Sequence, residues 1–361
     1  MTKARQLAEF ASDHAMFRNL LYNGAMQINQ RGNVSNSSGN AYGCDRWQIV
    51  RAGGVGNAAY DLKQSTDVPS GQPFSNSFHL DITTAETSIQ DGGGYQFRQQ
   101  LEGYDLQRLM KGTSSAKPLT LRFWVKSPKT GTHIVELYDV DNARQVSQSY
   151  TINFANAWQQ VTVNFPADTT GSFDNDNNRS LLIQWWLAAG NNFTSGTLNT
   201  SWASNTDANR LVGQVNILDA TNDWYITGIQ LEEGTVATPF EHRPIGMELS
   251  LCQRYAHFIR PASQYAAIGV GRAWSDTQGN AHVYLPVSMR GAIAIEYSDF
   301  NHFDLPPAGE YINGLHNDGS TKQTVKVGWV KNSGVSSGTY YQLEFEDSNW
   351  QNAYLGFTSE L

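Results

Sequence analysis

The sequence predicts a mainly β protein: a jelly-roll β-sandwich, a linking helix and a second small β domain, behind a short N-terminal helix. Three observations predict it. Aromatic residues make up 12% of the 361, and such side chains suit a pleated, half-buried surface. Segment after segment alternates apolar with polar residues, the period of a strand with one buried face. The 32 glycines and the loops rich in Asn, Asp and Ser supply the turns that many strands require.

Residues 1–18 open the chain. Ala4, Leu7, Ala8 and Ala11 recur at helical spacing, with Thr2 placed to cap the helix. A helix so short gains little in water, so it is expected to dock and to serve as an attachment or oligomerisation segment. Residues 19–243 read as strands and polar loops. In LTLRFWVKS, Leu119, Leu121, Phe123 and Val125 share one face, while Arg122, Trp124 and Lys126 share the other. HIVELYDV, QQVTVNF, SLLIQWWLAAG and WYITGIQLEEG follow as strands, without helical stretches between them, which points to a sandwich or jelly roll. Alternation in the last of these puts Ile226, Gly228, Gln230 and Glu232 on one side and Thr227, Ile229 and Leu231 on the other. Pro239 then ends the sheet, and Phe240 is expected to cap the open edge of the core.

Residues 244–260 form the linking helix, with Leu251, Cys252, Tyr255, Phe258 and Ile259 as its apolar face. Glu248 favours the dipole near the helix start, and Pro261 closes the helix. Residues 261–361 resume as strands and form the C-terminal β domain, with DTQGN and NSGVSSG as hairpin loops.

Composition excludes several functions. A net charge of −8 without a basic cluster argues against duplex nucleic acid as a partner. No apolar window reaches eighteen residues, and Met1–Phe17 lacks the apolar stretch of a signal peptide, so neither membrane insertion nor secretion by that route is expected. Charged residues are only 16%, so the surface relies on neutral polar groups, as suits stable assemblies. The two cysteines, Cys44 and Cys252, make no disulfide framework and point to synthesis in a reducing cytoplasm; whether they pair is left open.

Three stretches carry a resemblance to a known group. They are NLLYNGAMQINQRG (residues 19–32) with the downstream Tyr42-Gly43-Cys44-Asp45-Arg46-Trp47 element, the strand LTLRFWVKSP, and ITGIQLEEGTVATPFEHRPIGMELSLCQRYAHF (residues 226–258). Together they resemble bacteriophage tail-fibre and virion appendage proteins that carry a carbohydrate-binding-module-like jelly roll. The resemblance covers residues 19–258 and implies that Asn19–Gly32 holds the first strand. It further implies a homotrimer located in the virion, made in the host cytoplasm, that joins other tail or capsid proteins and mediates host attachment, with a host surface glycan as a further partner. A capsid-decorating or head-fibre protein and a polysaccharide depolymerase are the alternatives.

Sugar recognition needs flat aromatic faces and hydrogen-bonding side chains. Trp124, between Arg122 and Lys126, is one candidate platform. Trp185 and Trp186 must point to opposite faces of their strand, so one is core and the other, with Gln184 if it is Trp186, is free to line a concave sheet. Trp202 in its polar loop is the last candidate. Asp174, Asp176 and Asn178 alternate as calcium ligands do, but an EF-hand would need Gly and Glu where Arg179 and Trp185 stand. Ala25 and Gln27 likewise stand where related modules carry acidic calcium ligands, so no metal or cofactor is expected. The carboxylate pairs Glu232/Glu233 and Asp139/Asp141 read as solvated rather than catalytic, and no nucleophile or metal motif suggests an enzyme.

Overall fold

The computed structural model describes residues 17–53, 56–306, 308, 311–346 and 350–361. The helix expected over 1–18 lies outside the described residues, apart from Phe17 and Arg18. The chain divides into a first unit that runs to Glu248 and takes in Leu361, and a second unit, Leu249–Glu360. The fold is mainly β and antiparallel throughout, as the alternation requires.

The first unit is a sandwich of two sheets. Its strands are β1 (Val34–Ser37), β2 (Ala41–Tyr42), β3 (Gln48–Ala52), β4 (Ala59–Ser65), β5 (Ser77–Thr84), β6 (Gly94–Glu102), β7 (Leu119–Lys126), β8 (Gly131–Asp139), β9 (Arg144–Ile152), β10 (Gln159–Phe165), β11 (Arg179–Ala189), β12 (Ala203–Ser204) and β13 (Asp223–Glu233). One sheet runs β1-β4-β5-β13-β7-β10, the other β12-β9-β8-β11-β6-β3-β2. Their inner faces meet in an aromatic core. Phe123 and Trp224 from the first sheet meet Phe97 and Trp185 from the second: Phe123 lies 5.3 Å from Trp185 at 87°, and Phe97 lies 5.2 Å from Trp224. Trp47 stacks on Phe97 at 4.8 Å and 7°. All five rings are fully buried, and edge-to-face packing adds to the area they remove from water.

The strand expected within Asn19–Gly32 is absent from the sheets. That segment is irregular, because Asn23 and Met26 adopt positive φ (53° and 56°) and break the pleat. It still docks along β13: Leu20 N–H donates to Leu231 O (2.8 Å), and Asn19 Nδ2 to Ile229 O (2.9 Å).

Strand β13 itself departs from strict alternation. Its pairing with β7 slips between Thr227 and Gln230, where Gly228 has φ +62°. The bulge adds a residue, so Ile226, Ile229 and Leu231 all enter the core. Ile226 therefore sits on the side opposite to the one that simple alternation gave it.

A buried ion cluster fixes the loop after β10. Lys111 Nζ donates to Asp139 Oδ2 (2.5 Å), Thr170 O (3.0 Å) and Gly171 O (2.7 Å), and lies 3.1 Å from Asp168 Oδ2. Arg144 grips Asp168 with both Nε (2.8 Å) and Nη2 (2.9 Å).

The linking helix spans Ile245–Gln253 and is shorter than the expected 244–260. Ala256–Ile259 is instead a strand, β14, because the edge of β22 (Leu355–Thr358) satisfies its backbone in register Ala256↔Thr358 to Ile259↔Leu355. In the second unit, β14, β22 and β17 (Ala294–Tyr297) form a small sheet. A larger one runs β18 (Phe303–Asp304), β21 (Tyr340–Phe345), β15 (Ala267–Ala273), β16 (Gln278–Tyr284), β20 (Thr324–Val330) and β19 (Gly314–Ser320). DTQGN does lie in the hairpin between β15 and β16. NSGVSSG does not close a hairpin: it carries the chain from β20 across to β21, which pairs with β15 and β18. Cys44 and Cys252 are both buried and do not form a disulfide.

Candidate functional site

The outer face of the first sheet carries a hollow of about 310 Å³. Its floor follows from strand alternation. Because Leu121, Phe123 and Val125 of β7 point into the core, Arg122 and Trp124 point outward. Register then sets Gln160 of β10 opposite Trp124, and Gln230 of β13 opposite Arg122.

The wall comes from the chain beyond β13. Thr238, Pro239, Phe240 and His242 fold back over the sheet, and Phe74 arrives from the loop before β5. Phe74 meets Phe240 at 5.1 Å and 78°, and Phe240 meets His242 at 4.8 Å and 69°. Phe240 therefore closes the side of this hollow, not the edge of the core. Gly228 makes the arrangement possible, since a Cβ there would sit 2.6 Å from the Phe74 ring.

Hydrogen bonds hold the polar groups in place. Arg122 donates from Nη2 to Gln160 Oε1 (2.7 Å) and from Nη1 to Thr238 O (3.3 Å). Gln230 Oε1 accepts from Glu241 N–H (2.7 Å). Glu232, buried beneath the wall, accepts from Thr238 N–H (2.8 Å) and Thr238 Oγ1 (2.6 Å). Among the described residues lining the hollow none is Asp or Glu, so it offers a half-buried indole, a guanidinium and amides, but no acid–base pair. Such a surface matches the apolar face and the hydroxyls of a sugar ring.

The other candidate residues lie elsewhere. Gln184 and Trp186 are each 1% exposed and form no open platform. Both donate to Glu136, which Arg210 also grips through Nε (2.8 Å) and Nη2 (2.9 Å). Leu211, Phe193 and Leu198, contributed by the segment after β11, pack over Trp186 and shield that face from solvent. Trp185 is the core member of the pair. Trp202 is half-buried and spends its indole N–H on Pro166 O (2.9 Å), with Lys111 Nζ 5.3 Å over its ring. It roofs the ion cluster and is no free platform.

The acidic pairs are not solvated as expected: Glu232 and Asp139 are buried, held by Thr238 and Lys111, and their neighbours have structural partners too. Glu233 lies 3.1 Å from Arg108 Nε, and Asp141 accepts from Asp174 N–H (2.9 Å). Asp176 accepts from Asn178 N–H (2.9 Å). His79, Asp81 and Asp223 bring ligand atoms within 4.8 Å of one another on the same outer face as the hollow. Lys63 already holds Asp81 (2.7 Å), and His79 Nε2 bonds Asp223 Oδ1 (2.6 Å), so ion pairing accounts for the group.

Sequence reasoning found Trp124 and missed most of its surroundings. Gln160 was within reach of alternation, since it faces away from Val161 and Val163. Phe74 and the folded-back wall gave no periodic signal.

No known family matches the chain, and no curated protein does. Solved structures give faint likenesses. The enzymatically active domain of tailspike protein 4 of bacteriophage CBA120 aligns at 16% identity and TM-score 0.32, over 61% of this chain and 22% of that one. A family 11 carbohydrate-binding module of Clostridium thermocellum aligns at 12% and 0.28, over 56% of this chain and 99% of the module. An arabinose-bound α-L-arabinofuranosidase aligns at 15% and 0.33, over 71% and 33%. The chain thus spans about a fifth of the tailspike domain. Similarity at this level assigns neither family nor function. The molecule is a two-unit antiparallel β protein with an aromatic, carboxylate-free hollow on one sandwich face.

Proposed function

We propose that this protein is a structural component of a phage virion, a tail-fibre or receptor-binding appendage that attaches to a host surface glycan without cleaving it. The hollow over Trp124 carries the reading: indole, guanidinium and amides are presented together, and hydrogen bonds hold the guanidinium and the amides before any ligand arrives. The motif block at residues 226–258, which supports the virion part, supplies the bulged floor strand and the wall of the hollow. On this reading the protein works as a homotrimer, and repeated weak sites gain avidity against a polymeric surface.

The test is a glycan array with the full chain, followed by titration of the best hit with wild type and Trp124→Ala. Loss of the indole should weaken binding at least tenfold, as for an aromatic anchor, with the melting temperature unchanged. Retained affinity in the variant would remove the hollow from the reading. Oligosaccharides released from host polysaccharide by the pure protein would replace attachment with depolymerisation. Recovery of the chain from purified heads in place of tails would make it a capsid decoration.

A further inference from the structure

The ion cluster that holds the loop after β10 has the makings of a reaction site. Lys111 lies in the segment before β7 of the first sheet, and Asp139 ends β8 of the second. Their side chains are 5% and 0% exposed, and Nζ lies 2.5 Å from Oδ2. That contact brings the carboxyl carbon within about 3.5 Å of Nζ, the separation of reacting atoms in a near-attack pair.

The surroundings supply the other parts of a condensation site. Asn142 donates to the Asp139 carboxyl from its backbone N–H (Oδ1, 3.1 Å) and from Nδ2 (Oδ2, 3.0 Å). Negative charge that builds on those oxygens is therefore met by donors already in place. Asp168 Oδ2 stands 3.1 Å from Nζ, and Arg144 holds that carboxylate through Nε and Nη2. Thr170 O (3.0 Å) and Gly171 O (2.7 Å) also accept from Nζ and fix its direction. Gly171, at φ +69°, lets this turn come close, since a Cβ there would sit 2.5 Å from Asn142 Cγ. The Phe173 and Trp202 rings cover Nζ at 5.1 and 5.3 Å. A cavity of about 10 Å³ beside Lys111, Asp168 and Trp202 has room for one water.

We infer that Lys111 and Asp139 condense into an intramolecular amide, a covalent tie between the approach to β7 and the end of β8. Lys111 passes one proton to the Asp139 carboxylate, and the resulting amine attacks Cγ. Asp168 takes a second proton from Nζ as the N–C bond forms, and returns it to the departing hydroxyl as the C–O bond breaks. One amide and one water result, and no oxidant, metal or cofactor is consumed. The amide keeps one N–H for Gly171 O. Condensation also removes two charges from a buried site, where holding them is costly. The link closes residues 111–139 into a ring that contains β7, the strand that carries Arg122 and Trp124. The inference rests on this cluster and stands apart from glycan binding.

The experiment is the intact mass of the denatured full chain, after prolonged incubation of the folded protein at neutral pH, followed by peptide mapping. The mass should fall short of the sequence mass, with or without Met1, by one water. A protease digest should yield a branched peptide that joins the segments carrying Lys111 and Asp139. Asp139→Ala should restore the full mass, and folded Asp168→Asn should link at least about tenfold more slowly than wild type. The decisive reading is on wild type, so it stands even where a variant fails to fold. A wild-type chain of full sequence mass would show ion pairing alone and overturns the inference. So does a lost water that maps elsewhere, such as a succinimide at Asp91-Gly92 or Asp318-Gly319. Folded Asp168→Asn that links as fast as wild type overturns the proton path.

Discussion

At the scale of single residues, Gly228 is the position on which the hollow turns. Its φ of +62° and the Phe74 ring pressed against it leave no room for a side chain. Gly228→Ala should cost about 1–3 kcal/mol, measured by urea denaturation, and weaken glycan binding by displacing Phe74. His133 gives a separate handle. It is fully buried against Tyr150, its Nε2 bonds Lys129 O (3.1 Å), and its Nδ1 has no partner. Burial pushes its pKa down to about 4. The unfolded chain therefore takes up the proton first as acid is added, near pH 6.5. The stabilisation from keeping His133 neutral is whole above that pH and is lost as pH falls toward 4. Wild type should lose up to about 3 kcal/mol more than His133→Gln across that window in paired denaturation curves.

At the scale of elements, the loop after β10 is held by charge rather than by regular structure. Lys111 sits among Asp139, Asp168 and two backbone carbonyls, and all three charged side chains are buried. Lys111→Met should destabilise the first unit by about 3–5 kcal/mol, because Asp139 is left buried without its cation while Arg144 still serves Asp168. Asp139→Asn in the same background should recover part of that loss, a coupling that a double-mutant cycle reads directly. The short linking helix has a comparable logic. The spacing of Tyr255, Phe258 and Ile259 fits a helix, yet the ladder with β22 supplies the backbone partners that make a strand of residues 256–259.

At the scale of the whole molecule, each unit has its own main apolar cluster, one around Trp185 and one around Trp329. Each unit satisfies its own core, so calorimetry should resolve two unfolding transitions. Leu343→Ala, in the second core, should lower one of them by several degrees and leave the other in place. A single transition shifted as a whole would show that the two units unfold together.

Much of the fold was legible because burial on one face imposes a period of two, and that period is written in LTLRFWVKS and QQVTVNF. Trp124 was legible for the same reason, as the aromatic residue on the outward face of its strand. The bulge at Gly228, the burial of Trp186 and Gln184, and the conversion of residues 256–259 to strand were not. Each depends on a partner outside the strand itself: Phe74, the segment that carries Phe193 and Leu211, and Leu355–Thr358. Local pattern determines which side of a strand is apolar. Only the folded chain decides what covers the polar side, because covering it requires loops whose sequences obey no period.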